Sequence, residues 1–160
     1  MADPYVKHAQ NVFAATIGST DVTAGDMVYF DGTDWELADA SAHTTFCEAM
    51  AVNTYDSGDV GVLCTGGMLV DTDAPYTQGA AMYLSETAGA VTATIPTTNA
   101  AIKQVVGFSL STSEVRVAIR NPSYQNQFFP VSAYDTSGEP GLGVVTDGWP
   151  GPGLAWPGLV

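Results

Sequence analysis

GAAMYLSETAGAVTA, Gly79 to Ala93, is the stretch whose reading decides the fold. Its apolar residues come in short runs, and Ser85, Glu86, Thr87 and Gly89 stand between Leu84 and Val91, so it reads as two strands joined by a tight reversal. The run QVVGFSL, Gln104 to Leu110, supplies a third strand. An earlier segment, Gly25 to Val52, repeats this plan with different residues. Gly25 and Gly79 open the two units, and Tyr29 and Tyr83 fall at the same distance from them.

Working outward, MVYF, Met27 to Phe30, is a strand, the Asp-Gly pair in DGTD permits a hairpin turn, and WELA, Trp35 to Ala38, returns. After the polar loop DASAHTT come FCEAMAVNT, a turn at Asp56 to Asp59, and VGVLCT. Met68 to Val70 forms a short strand in the crossing segment. In the second unit QVVGFS answers to EAMAVN, and EVRVAI, Glu114 to Ile119, answers to VGVLC. No window of about 12 residues keeps an apolar helical period without Gly or Pro, so the chain is all-β. Two half-barrels, each unable to bury its apolar face alone, are expected to close on one another.

The 160 residues suit one domain, with 17 acidic against 4 basic side chains and a formal charge of −13. Such a surface repels phosphate backbones and anionic membranes, and Lys7, Lys103, Arg116 and Arg120 are scattered along the sequence, so neither nucleic acid nor membrane is an expected partner. No run reaches the roughly 18 apolar residues of a membrane span. MADPYVKHAQ lacks the basic-then-apolar order of a signal peptide, so synthesis in a cytosol is expected. If Ala49 to Thr54 pairs with Val60 to Thr65 around YDSGD, Met50 lies opposite Cys64 and Cys47 falls beyond it. Two buried free thiols follow, in keeping with a reducing compartment.

Catalytic patterns are sparse. His8 and His43 lie in polar segments with no Ser or Cys motif beside them and read as solvated. GFSLS, Gly107 to Ser111, departs from the GxSxG elbow at its last position. Carboxylates cluster at Asp31 and Asp34, Asp56 and Asp59, and Asp71 and Asp73. Any of these loops could hold a hard cation, but none has EF-hand spacing and Asp is a common turn residue, so solvated loops are the favoured reading. Trp35, Tyr29 and Tyr83 could form a sugar-stacking platform, but their alternation with apolar neighbours favours core or subunit packing. No enzyme, cofactor or metal is expected.

The two ends differ from the middle. Residues 1–20 read as an N-terminal arm and lead-in strand, with the apolar patch VFAATI at Val12 to Ile17, lying on a neighbour or on the domain's own flank. Residues 121–160 are dense in Gly and Pro, carry no basic residue, and hold many aromatics. Gly and Pro at this density prevent a regular helix or interior strand, whereas disordered tails are poor in aromatics. The segment reads as an extended arm anchored by its aromatics on another surface, or as a tail folded back on its own domain.

The order GDMVYFDGTDW, then AMAVNTYDSGDVGVLCTGGMLV, then YTQGAAMYLSETAGAVTATIPTTNAAIKQVVGFSLSTSEVRVAI resembles capsid decoration, or cement, proteins and head-fibre base domains of tailed bacteriophages, over about residues 20 to 120. MYLSETAGAVTA followed by VVGFSLS is the most specific piece. The resemblance implies a small β-barrel or β-tulip-like domain at residues 21–120, commonly a homotrimer, on the outer surface of an icosahedral shell over junctions between major capsid proteins. The expected function is structural stabilisation of that shell. The 40-residue tail departs from a minimal decoration domain. Tyr5, Val12, Phe13, Tyr124, Phe128, Phe129, Tyr134, Trp149 and Trp156 are the candidate contacts with capsid or sister subunits. The alternative is an adhesin-like carbohydrate-binding head fibre or display module, with Trp35, Tyr55 and Tyr76 near its loops.

Overall fold

Turns of one kind set the reversals of the chain. In Thr23-Ala24-Gly25-Asp26 and Thr77-Gln78-Gly79-Ala80 the fourth residue's N–H donates to the first residue's carbonyl at 2.9 and 3.1 Å, with the glycines at φ +93° and +82°. A positive φ at the third position is the signature of a type II turn, which glycine adopts without steric cost. Asp56 to Asp59 and Thr87 to Ala90 close through the same hydrogen bond, at 3.1 Å each.

The computed structural model describes residues 3–98 and 101–124. The strands among them are β1 (Tyr5–Gln10), β2 (Phe13–Thr16), β3 (Met27–Phe30), β4 (Trp35–Leu37), β5 (Ala49–Ala51), β6 (Val60–Cys64), β7 (Gly66–Val70), β8 (Ala81–Leu84), β9 (Val91–Thr92), β10 (Ile102–Lys103), β11 (Val105–Ser109), β12 (Glu114–Ala118) and β13 (Ser123–Tyr124). The fold is all-β, as the sequence indicates, and no helix occurs among the described residues.

The duplication is visible in the pairing. One sheet runs β2-β6-β5-β3-β4 and the other β1-β7-β12-β11-β8-β9, while β10 and β13 pair separately. With β1 set aside, both follow the order first, fifth, fourth, second, third strand of their repeat. Matching hydrogen bonds fix the equivalence: Gly25 N donates to Ala51 O and Ala51 N to Asp26 O, as Gly79 N donates to Ser109 O and Ser109 N to Ala80 O. Met27 opposite Met50 thus corresponds to Ala81 opposite Phe108, and Phe13 opposite Leu63 to Leu69 opposite Val115. The structure therefore corrects the alignment of EAMAVN with QVVGFS by two residues. A slide of two keeps every side chain on its face, so alternation alone does not reveal it. Each repeat also gains a first strand, β2 or β7, that sequence similarity did not mark.

The expected closure of two half-barrels is corrected too. The five-stranded sheet curls until its edges meet at a single bridge, Ile17 beside Trp35, with Gly18 N donating to Trp35 O at 2.8 Å. Among the described residues no ladder follows this bridge, and none joins this sheet to the other. Its inner face, Val28, Ala49, Ala51 and Leu63, is filled by Ile17, Val22 and Tyr55 from its own loops. Its outer face, Met27, Met50 and Cys64, packs on the inner face of the second sheet, Leu69, Met82, Val115 and Val117. Because Val28 corresponds to Met82, the repeats stack the same way round, back to front. Met50 and Met82 are almost fully buried, and truncating such a side chain to alanine costs about 2–5 kcal/mol.

β1 pairs with β7, Tyr5 opposite Val70 and Lys7 opposite Met68, so this part of the N-terminal segment lies on the domain's own flank. The register shifts between Lys7 and Gln10, where His8 sits at φ +56°.

Candidate interaction surfaces

Among the described residues nothing stacks on the outer face of the second sheet. Across it runs one row of opposed residues, Lys7, Met68, Arg116, Phe108 and Ala81. Phe108 is 42% and Leu110 46% exposed. Lys7 Nζ lies 3.7 Å from Glu114 Oε1 on the same face. Lys103 Nζ stands 6.0 Å from the centre of the Tyr83 ring, on the strand carrying Ala81. In the first repeat the equivalents of Ala81, Phe108 and Arg116 are Met27, Met50 and Cys64, all buried between the sheets. Lys7 and Arg116, far apart in sequence, thus share one sheet face, with Lys103 beside its Tyr83.

A second apolar patch lies where the curled sheet extends past this cover. Val60 is 71% exposed, Val62 38% and Val12 56%. Thr16 stands opposite Val60 and Ala14 opposite Val62. Asp59 adjoins Val60 in the chain, and nearby Ser57 N donates to Asp21 Oδ1 at 2.8 Å. The patch is apolar with an acidic margin.

Of the residues singled out from the sequence, Val12 belongs to this patch. Phe13 is half-buried, its ring 5.4 Å from Trp35 between centroids, and Tyr5 is half-buried on β1. Tyr124 pairs through its backbone with Ile102. Phe128, Phe129, Tyr134, Trp149 and Trp156 lie outside the described residues. Trp35, Tyr55 and Tyr76 do not share a surface: Trp35 and Tyr55 pack on the inner cluster of the first repeat, Tyr76 on the core between sheets. Burial pushes the Tyr76 hydroxyl up to about 12, with Asp71 and Asp3 adding to the effect. His8 and His43 are exposed. Among the described residues no three His, Cys, Asp or Glu side chains converge as metal ligands would.

Two polar groups lie inside the fold. Gln104 is almost fully buried: its Oε1 accepts from Cys47 N, and its Nε2 donates to Cys47 O and Arg120 O, all at 2.7 Å. It lines a cavity of about 420 Å³ with Phe46, Glu48 and Ile119, and its satisfied amide marks it as a structural clasp. Asp26 borders a cleft of about 180 Å³ between the repeats, with Pro4, Leu69, Asp71 and Tyr76. Burial raises its carboxyl above the usual range, opposed by the hydrogen bond it accepts from Thr23 N. Sequence reading missed both, since a lone Gln or turn Asp carries no spacing signal.

No family model matches the chain, and no curated protein matches it.

Proposed function

We propose that the chain is a structural virion protein that decorates the outer surface of an icosahedral phage capsid, binding the major capsid protein and stabilising the shell. The observation that carries this reading is the duplicated β unit. The segments that resemble decoration proteins, MYLSETAGAVTA and VVGFSLS, contain most of β8 and all of β9 and β11, the adjacent strands of the second repeat. A protein with this task acts through rigidity and contact area. Here the two repeats share one close-packed core, and apolar side chains remain exposed on two faces. The net charge of −13 suits the outside of a shell filled with nucleic acid and opposes packaging within it. In this reading the protein works as a homotrimer, made in the host cytoplasm, with the aromatic segment beyond residue 124 reaching to capsid or sister subunits. Virions with and without the protein are heated or exposed to chelator while DNA release is followed. Earlier release without it is the expected result, and equal resistance overturns a cementing role.

A further inference from the structure

We infer that the exposed outer face of the second sheet, centred on Phe108 and Arg116, docks on the Val12, Val60 and Val62 patch of a second copy of this chain. This deepens the multimeric part of the reading above by naming the two surfaces. Three independent features lead there. The first is the repeat: the equivalent face of the first repeat, Met27, Met50 and Cys64, is already buried against a sheet, so this strand arrangement accepts a sheet surface. Phe108 and Leu110 supply apolar area on its free counterpart. Such area, left uncovered by the packing of the described residues, marks a contact surface.

The second feature is the distribution of charge. Between Phe13 and Thr65 there are nine acidic residues and no lysine or arginine. All four basic residues of the chain lie outside that segment, with Lys7 and Arg116 in the row that holds Phe108. Glu114 on the same face offsets Lys7, which leaves Arg116 as the unbalanced charge, and two such faces meeting would oppose Arg116 to Arg116, which disfavours a contact made by the same patch from both copies. The row is complementary to the first repeat instead.

The third feature selects the place on that repeat. Among the described residues Val60 is the most exposed large apolar side chain, at 71%; Val62 follows it on the same strand face, Val12 directly precedes the paired strand β2, and Asp59 adjoins Val60 with Asp56 and Asp21 at the same turn. An aromatic and basic surface then meets an aliphatic and acidic one, and the apolar centre is rimmed by charge, the usual anatomy of a specific interface.

The test uses the full chain alone, by sedimentation velocity at low and high salt, with Phe108→Ser, Arg116→Glu and Val60→Asp, each checked for its folded circular dichroism spectrum. The expected result is a self-associated protein whose association weakens with salt, and falls on the order of ten-fold or more in each variant. Because the two patches differ, mixing Arg116→Glu with Val60→Asp leaves one intact pair of surfaces, and a discrete two-copy complex should return. A monomeric parent chain overturns the proposal. So does association that survives Arg116→Glu, or that is lost in Phe108→Ser and Arg116→Glu but not in Val60→Asp, or a mixture that stays monomeric. No capsid is present, so failure here leaves shell binding standing, and failure to bind shells leaves this contact standing.

Discussion

Gln104 and Cys47 are joined by a reciprocal pair of hydrogen bonds, side-chain amide to backbone N–H and C=O, across 57 positions of sequence. The pair fastens the approach to β5 in the first repeat to the segment before β11 in the second. The same amide reaches Arg120 O, just past β12. Gln104→Leu keeps the volume and leaves a buried N–H and two carbonyls without this partner. Each such loss costs about 1–3 kcal/mol, so urea denaturation should show a loss of roughly 3 kcal/mol or more. A change below about 1 kcal/mol would mean that water replaces the clasp.

Gly25 and Gly79 hold the same place in the same turn and should differ in their tolerance of alanine. Both have positive φ, which alone costs a residue with a Cβ roughly 1–2 kcal/mol. Around Gly79 there is open space for the methyl group, whereas at Gly25 it would overlap Cδ1 of Leu69, itself buried. Gly79→Ala should therefore cost only the backbone term, and Gly25→Ala a further roughly 1–3 kcal/mol for overpacking. Thermal or urea denaturation of the two variants gives the comparison, and equal costs would contradict the stacking of Leu69 beneath the first repeat.

Asp26 should make the protein less stable as pH rises. Its carboxyl is raised above 3.8 by burial, so the folded state holds this proton more tightly than the unfolded chain. The stability it contributes is complete below the unfolded value and disappears as pH rises through the raised folded one. Asp31 and Glu86 have the opposite sign: their carboxyls are lowered by hydrogen bonds from Asp34 and Thr33, and from Thr98, so their contribution is present above the unfolded value and lost on acidification. Asp26→Asn can still accept from Thr23 N without charge. At pH 7 it should equal or exceed the parent in stability, and its advantage should shrink at pH 4. An advantage unchanged with pH would show that Asp26 does not titrate as described.

Cys47 and Cys64 should stay unreactive until the protein unfolds. Both are free and buried, and burial drives the Cys47 thiol far up, away from the reactive thiolate. In native protein a thiol reagent should label neither, and labelling in denaturant should follow the global transition. Fast labelling of one thiol in buffer would reveal a local opening of the core between the sheets.

The same cysteines show how far the sequence is legible. Met50 does stand opposite Cys64, as the turn at YDSGD predicts, because an Asp-x-Gly turn pins the register of the strands it joins. The hairpin of β8 and β9 was legible for the same reason. The pairings of β2 with β6 and of β7 with β12 span dozens of residues and leave no local trace. Arg116 faces outward where Cys64 faces a core, although both lie on equivalent strands. That contrast follows from the back-to-front stacking, which only the three-dimensional structure reveals. The clasp at Gln104 was equally hidden, since the sequence around it reads simply as a strand.

The β domain extends past the Asn121 boundary that composition marks. From composition, deleting Asn121 to Val160 should leave the β domain folded. The structure moves the cut, because Ser123 and Tyr124 form β13 and pair with Lys103 and Ile102, and Ile102 is a core residue. A chain ending at Gln125 keeps every described strand, while one ending at Arg120 leaves β10 without its partner. The shorter chain should be less stable by about 1 kcal/mol, the net worth of a typical hydrogen bond. In the proposed role, both truncations should bind shells more weakly than the full chain, since both lack the aromatic residues from Phe128 onward. Co-sedimentation with empty capsids, together with urea denaturation of each chain, separates the two effects. Undiminished binding by the chain ending at Gln125 would place the shell contacts on the β domain itself.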